Sequence, residues 1–196
     1  MLARVSNIEA FRRWREDDDQ PVEQLVEYIT VDNPTKPMLA GTAFHEALEH
    51  ADDGSYDVLQ AMGYTFHLPD AELVLPSIRE VRAYGVYGDL TVTGKVDCLD
   101  GRRVDDHKTT SRFDAERYLS GYQWRYYLDL FGADVFRWNV FELKEVGDLE
   151  YQVSPPQLLE VTRYPGLHED CMRLALDYLA FAREHLPANH ASQVAA

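Results

Sequence analysis

The sequence predicts an α/β fold, a central mixed β-sheet flanked by helices, on three observations. Apolar residues recur at helical spacing up to His50. Between Ile78 and Thr110 that pattern gives way to β-branched and aromatic residues punctuated by Gly85, Gly88 and Gly101. A further helical stripe then separates this stretch from later strand-like segments, and helices interposed between strands belong to layered α/β architectures.

Taken in order, Ser6-Asn7-Ile8-Glu9 reads as a capping box, with Ser6 as cap and Glu9 reaching back, and starts a helix running to about Arg15. The Asp17-Asp18-Asp19 run reads as a solvated loop. Pro21–Ile29 is a second short helix, its proline early, where a missing N–H does no harm. Asp32-Asn33-Pro34 marks a break. Pro37–His50 then places Leu39, Ala43, Phe44, Ala47 and Leu48 on one side of a half-buried helix. Ser55–Ala61 is expected to add a short helical turn.

Ile78–Thr110 reads as a three-stranded antiparallel meander, in which Leu90–Leu99 and Arg102–Thr109 are joined by a tight turn at Asp100-Gly101. Asp114–Phe131 carries the stripe Tyr118, Tyr122, Tyr126, Tyr127 and Leu130, with Gly132 as a stop, and predicts one helix. Val135–Leu143 and Leu149–Val153 look like strands around a Gly147-Asp148 turn. Ser154-Pro155-Pro156 is expected to open a long C-terminal helical region, broken at Tyr164-Pro165-Gly166. No repeat or linker divides the chain. One domain over 1–187 is expected, followed by a frayed, disordered tail at 188–196.

Length and composition fit a protein with a real core: 196 residues, 45% hydrophobic and 12% aromatic. Trp14, Trp124 and Trp138 read as core residues. No apolar run is long enough to span a membrane, and Met-Leu-Ala-Arg lacks the apolar centre of a signal peptide, so a cytoplasmic location is expected. Cys98 and Cys171 are too few for a disulfide framework, a four-cysteine zinc site or an iron–sulfur cluster, and read as reduced, buried thiols. The net charge of −15, from 19 Lys+Arg against 34 Asp+Glu, argues against loose, charge-driven nucleic-acid binding. It does not exclude a nucleic-acid enzyme, because a bound metal inverts the local field. The arginines also cluster, as Arg12, Arg13 and Arg15 and as Arg112, Arg117 and Arg125.

The chemistry concentrates on the predicted hairpin. Side chains two apart on a strand share a face, so Asp106 and Lys108 project together and the turn folds them back beside Asp97. Two carboxylates and an ammonium converging there are suited to holding a divalent metal beside a reacting water. Asp97 and Asp106 supply hard oxygen ligands for Mg2+ or Mn2+, and the His107 carbonyl offers a third. Lys108 is placed to act on the water or on developing charge. Asp105 should face away by alternation, which makes Asp106 the ligand and Asp105 the fallback. No glycine-rich phosphate loop is present, which gives an unrelated small-phosphoester hydrolase little support.

Five short motifs occur in order over roughly Pro37–Gly132: Gly41-Thr42-Ala43-Phe44-His45-Glu46, then Glu80, Gly94-Lys95-Val96-Asp97, Asp106-His107-Lys108-Thr109, and Gln123-Trp124-Arg125-Tyr126-Tyr127. In this order the chain resembles the PD-(D/E)XK nuclease superfamily, and within it the RecB-type and lambda-exonuclease-type branch common in phages. The resemblance implies a restriction-endonuclease-like core, with His45 and Glu80 joining Asp97 and Asp106 around the metal. It also implies that Gln123 and Tyr127, which share a helix face, orient Lys108 or the DNA backbone. The function implied is a divalent-metal-dependent deoxyribonuclease, an exonuclease of phage-type recombination or repair. DNA is the implied partner, with a single-strand annealing protein to receive the product and a ring-shaped homo-oligomer if digestion is processive. The cysteines of the iron–sulfur members are absent, so no cluster is expected, and there is no helicase segment. The alternative is a non-catalytic nuclease-fold binding module in a DNA-processing or defence complex.

Overall fold

The β-branched and aromatic stretch after Ile78 forms the centre of the molecule. The computed structural model describes residues 1–17, 19–69, 72–73, 75–76 and 78–187; the expected tail at 188–196 lies outside the described residues, as does Asp18. Strand β1 (Leu2–Arg4) leads into helices α1 (Val5–Arg15), α2 (Val22–Thr30) and α3 (Lys36–His50). Short strands β2 (Gly54–Ser55), β3 (Val58–Ala61), β4 (Tyr64–His67) and β5 (Glu72–Leu73) follow. The meander is β6 (Ile78–Tyr87), β7 (Leu90–Asp100) and β8 (Arg103–Thr110), succeeded by α4 (Ala115–Leu119) and α5 (Gln123–Leu130). Strands β9 (Val135–Gly147), β10 (Glu150–Val153) and β11 (Gln157–Thr162) precede the last helix, α6 (Leu167–His185).

These elements build an α/β arrangement around a mixed sheet of order β1-β7-β8-β9-β10-β4-β3, with β6 joined to β7 and β11 to β9. Strand β8 runs parallel to β9 from Arg103↔Val135 to Thr110↔Glu142. Parallel neighbours need a crossover, and α4 and α5 supply it. The crossover lays α5 over β7, where Tyr127 joins Val92, Val96, Val104, Phe136 and Trp138 in the main apolar core. A second core gathers Phe44 and Leu48 of α3 with Phe66, Phe141 and Tyr151. Cys98 and Cys171 are free and buried.

Four sequence expectations need correcting. Helix α1 starts at Val5 and no Ser6 capping box forms. Its start is fixed instead by β1, which pairs in parallel with Thr91–Thr93, and Glu9 is spent on the Tyr122 N–H at 2.6 Å and on Arg12 at 2.9 Å. Ser55–Ala61 is not helical: β3 pairs antiparallel with β4 and sends Leu59 into the second core. The single helix expected over Asp114–Phe131 is two, divided around Ser120-Gly121, with Asp114 Oδ1 capping α4 through the Glu116 N–H at 3.1 Å. Ser154-Pro155-Pro156 opens a strand, β11, on β9 rather than a helix, and α6 begins only after Gly166, which has φ 90°.

Two glycines set how closely helices approach the site strands. A Cβ on Gly41 would lie 2.7 Å from Thr109 Oγ1, and one on Gly94 would lie 2.5 Å from the Tyr127 ring. Gly94→Val therefore pushes Tyr127 off the sheet. The expected cost is about 1–3 kcal/mol of unfolding free energy, read as a lowered urea midpoint with unchanged slope.

Candidate active site

The antiparallel ladder between β7 and β8 runs only from Cys98↔Asp105 to Asp100↔Arg103. Beyond it the strands part and Asp97 fills the gap, its Oδ2 accepting the His107 backbone N–H at 2.5 Å. A carboxylate thus satisfies a backbone donor that the ladder would otherwise pair. Oδ1 of the same group lies 3.4 Å from His45 Nδ1 on α3. Burial opposes ionisation of Asp97, but His45, with Lys108, prevails and holds its carboxyl well below the usual range.

Asp106 and Lys108 share the other requirement, a common face. In the parallel ladder they stand beside Trp138 and Val140, both main-core residues, so they point toward the α5 side. Lys108 Nζ lies 2.9 Å from Asp106 Oδ1 and 2.7 Å from Oδ2. Burial, reinforced by Asp97, pushes the Asp106 carboxyl up to about 6 despite the lysine. Burial pulls the Lys108 ammonium down, yet Asp106 and Asp97 outweigh it and keep it charged above the ordinary lysine range. A metal taking Asp106 competes with its proton. The affinity of any Mn2+ held by Asp106 would therefore be level above about pH 7 and fall about ten-fold per unit below the Asp106 value, as calorimetric titration across that range will read.

The pleat inverts at Asp97. Val96 belongs to the main core, whereas Cys98 Sγ lies 3.6 Å from His107 Nε2, whose ring packs against Phe141 of the second core. The cause is visible on the neighbouring strand. Glu80 stands between the pairs Arg79↔Cys98 and Val81↔Val96 with φ 55°, in the left-handed region. For a residue with a Cβ this costs roughly 1–2 kcal/mol, a strain typical of functional positions. Glu80 is ion-paired with Lys95, and with His45, Glu46, Glu49 and Asp97 it lines an open cleft of about 300 Å3 between α3 and the sheet.

On α5, Gln123 Nε2 donates to Tyr127 Oη at 3.2 Å, and Gln123 borders the same cavity as Lys108. Tyr127 is buried near Asp106 and Lys108; burial, then Asp106, push its phenol up to about 12. His107 gives its backbone N–H to Asp97, while its ring lies on the opposite face of β8 from Lys108, with its centroid 6.2 Å from that of His45 and its Nδ1 3.3 Å from Asn139; burial pushes it down to about 4, so it is neutral. Asp105 also faces away, fully buried between Arg103 at 3.0 Å and Arg137 at 2.9 Å. Arg125 does not join a phosphate-facing cluster: it donates to the Gly121 carbonyl and Tyr164 Oη and stacks over Tyr122 and Trp124. Two residues stand at the site without a role assigned to them from the sequence. Lys95 lies inside the Gly94-Lys95-Val96-Asp97 motif, two positions before Asp97. Arg13 belongs to the Arg12, Arg13 and Arg15 cluster, and α1 brings it to the cavity that Lys108 borders.

Among the described residues, no three His, Cys, Asp or Glu side chains gather closely enough to enclose an ion as placed. Each acid is instead engaged by a cationic or imidazole partner, namely Asp97 by His45, Asp106 by Lys108 and Glu80 by Lys95. The donor set nevertheless fits a hard divalent ion: it is made of carboxylates, and the buried Asp106 Oδ2 receives no well-directed hydrogen bond.

No family model matches the chain, and no curated protein matches it in sequence. Among solved structures, the crystal structure of a protein called SSO0001 aligns with a TM-score of 0.52 at 15% sequence identity, covering 92% of this chain and 75% of that one. At that identity the likeness is one of fold. No helix among the described residues is long and apolar enough to cross a membrane.

Proposed function

We propose that this chain is a divalent-metal-dependent DNA nuclease with a restriction-endonuclease-like core, acting as an exonuclease in phage-type recombination or repair. The observation that carries this reading is Asp106 and Lys108 in contact on one face of β8, with Asp97 set into the gap beside them. Asp97 and Asp106 would hold Mg2+ or Mn2+, with His45 and Glu80 at the rim and the His107 carbonyl as a further oxygen. A bound ion would polarise the phosphate and lower the pKa of the attacking water. Lys108, permanently charged, orients that water and offsets charge building on the phosphate oxygens. Gln123 and Tyr127, hydrogen-bonded to each other on α5, would hold the lysine in place. Exonuclease rather than endonuclease action rests on the resemblance.

A second reading is favoured by the same ion pairs: each acid of the site already has a protein partner, as in a binding module that has lost catalysis. Purified protein incubated with linear and closed circular duplex and with single-stranded DNA, in Mn2+, Mg2+ or EDTA, separates the two. Metal-dependent loss of linear but not circular DNA is the expected result. Absence of any metal-dependent cleavage favours the binding module.

A further inference from the structure

A second cavity, of about 220 Å3, opens on the α5 side of β8 and is bordered by Lys108 and Gln123. Its walls include Tyr118, Trp124 and Trp138, and Arg13 of α1 and Arg117 of α4 stand at it from opposite elements. Two features set this place apart in an acidic chain. Most exposed arginines elsewhere lie against carboxylates, for example Arg15 on Asp177 at 2.5 Å and Arg183 on Asp89 at 3.0 Å. Arg117, like Arg4, Arg82 and Arg112, is exposed and lies in no ion pair among the described residues, and of these four it alone borders this cavity. The one acid at the cavity, Glu9, is paired with Arg12 at 2.9 Å and accepts the Tyr122 N–H at 2.6 Å; Arg13 Nε stands farther from it, at 3.7 Å, and with Arg117 leaves the recess net positive. What remains is an aromatic-walled recess with surplus positive charge, one wall of which is the amine beside Asp106.

The recess is smaller than the ~300–1,000 Å3 of typical small-molecule pockets, and so it admits one nucleotide unit rather than a base pair. We propose that this cavity is the subsite for a single unpaired nucleotide flanking the cut, its sugar and base against the aromatic wall and its phosphate held by Arg13 and Arg117. The position of the cut rests on the nuclease reading; the binding does not. It follows that the chain prefers single-stranded or frayed DNA to a blunt duplex, since a paired base must first leave its stack to enter.

The test uses the whole chain, with Ca2+ in place of Mn2+ so that binding is read without cleavage. Oligothymidylate should quench the tryptophan fluorescence saturably, and a blunt duplex of the same length should bind at least about ten-fold more weakly. Arg117→Gln should weaken oligothymidylate binding about ten-fold and flatten its salt dependence, with the thermal midpoint unchanged because the side chain is exposed. Arg173→Gln, on the exposed surface of α6, should bind like the parent. No saturable quenching, equal duplex binding, or an unaffected Arg117→Gln variant overturns the subsite. Quenching with no cleavage in Mn2+ keeps the subsite and removes the nuclease reading; cleavage with no quenching does the reverse.

Discussion

Lys108→Met is expected to lower metal-dependent DNA cleavage by on the order of 10^3-fold while leaving metal binding intact. The methionine keeps the length and apolar stem of a side chain that borders a cavity with Trp124 and Trp138 but removes the charge that touches Asp106. Freed of its ammonium, Asp106 remains available to a cation, and in the metal-free protein its carboxyl rises further because the main group opposing burial has gone and only the more distant His45 remains. Calorimetry with Mn2+ should therefore show affinity retained on the alkaline side, with its acid-side fall displaced to higher pH than in the parent, alongside a collapsed turnover number. Asp106→Asn should lose both quantities. A Lys108→Met variant cleaving at more than about a tenth of the parental rate would remove the lysine from the chemistry, since a group acting in the transition state contributes far more than that.

Asp97 carries two duties, and two substitutions pull them apart. Asp97→Ala removes a proposed metal ligand and also strands the His107 N–H at the point where β7 and β8 separate. An unpaired buried donor costs about 1–3 kcal/mol, so this variant should be both inactive and clearly destabilised. Asp97→Asn keeps an oxygen facing the N–H, and should be inactive yet lose noticeably less stability. The difference depends on pH in a fixed direction. Because the folded carboxyl is held below its ordinary value, its contribution is complete above about pH 4 and disappears as pH falls through the folded value. The stability advantage of the parent over Asp97→Asn should therefore shrink on acidification in EDTA. An advantage that grew instead would show that His45 and Lys108 do not stabilise the carboxylate.

Strand alternation was enough to put Asp106 and Lys108 on one face and Asp105 on the other, because β8 is regular and its neighbours bury both sides. Helical spacing likewise paired Gln123 with Tyr127. The failures have physical causes. Ser55–Ala61 is too short for its period to be read, and Leu59 becomes a strand residue only once β4 is beside it. Gln157–Thr162 leaves Leu158 exposed, so its pattern does not declare a strand; the pairing with β9 makes it one. The aromatic stripe after Asp114 runs through Gly121 as though unbroken, and only the bonds drawn from Arg125 to the freed carbonyls reveal the break. The left-handed backbone at Glu80 is beyond any sequence pattern, since it is imposed by strands that must change face together.

The short ladder at the end of β7 and β8 has a practical consequence. Only three residue pairs join these strands, and all lie between Asp97 and the turn, where Gly101 sits exposed with φ 59° and open space around it. Those pairs insulate the acids from events at the tip. The loop is thus a natural attachment point for a reporter dye or an inserted peptide tag, at a position where cargo is tethered to the working end of the molecule without disturbing it.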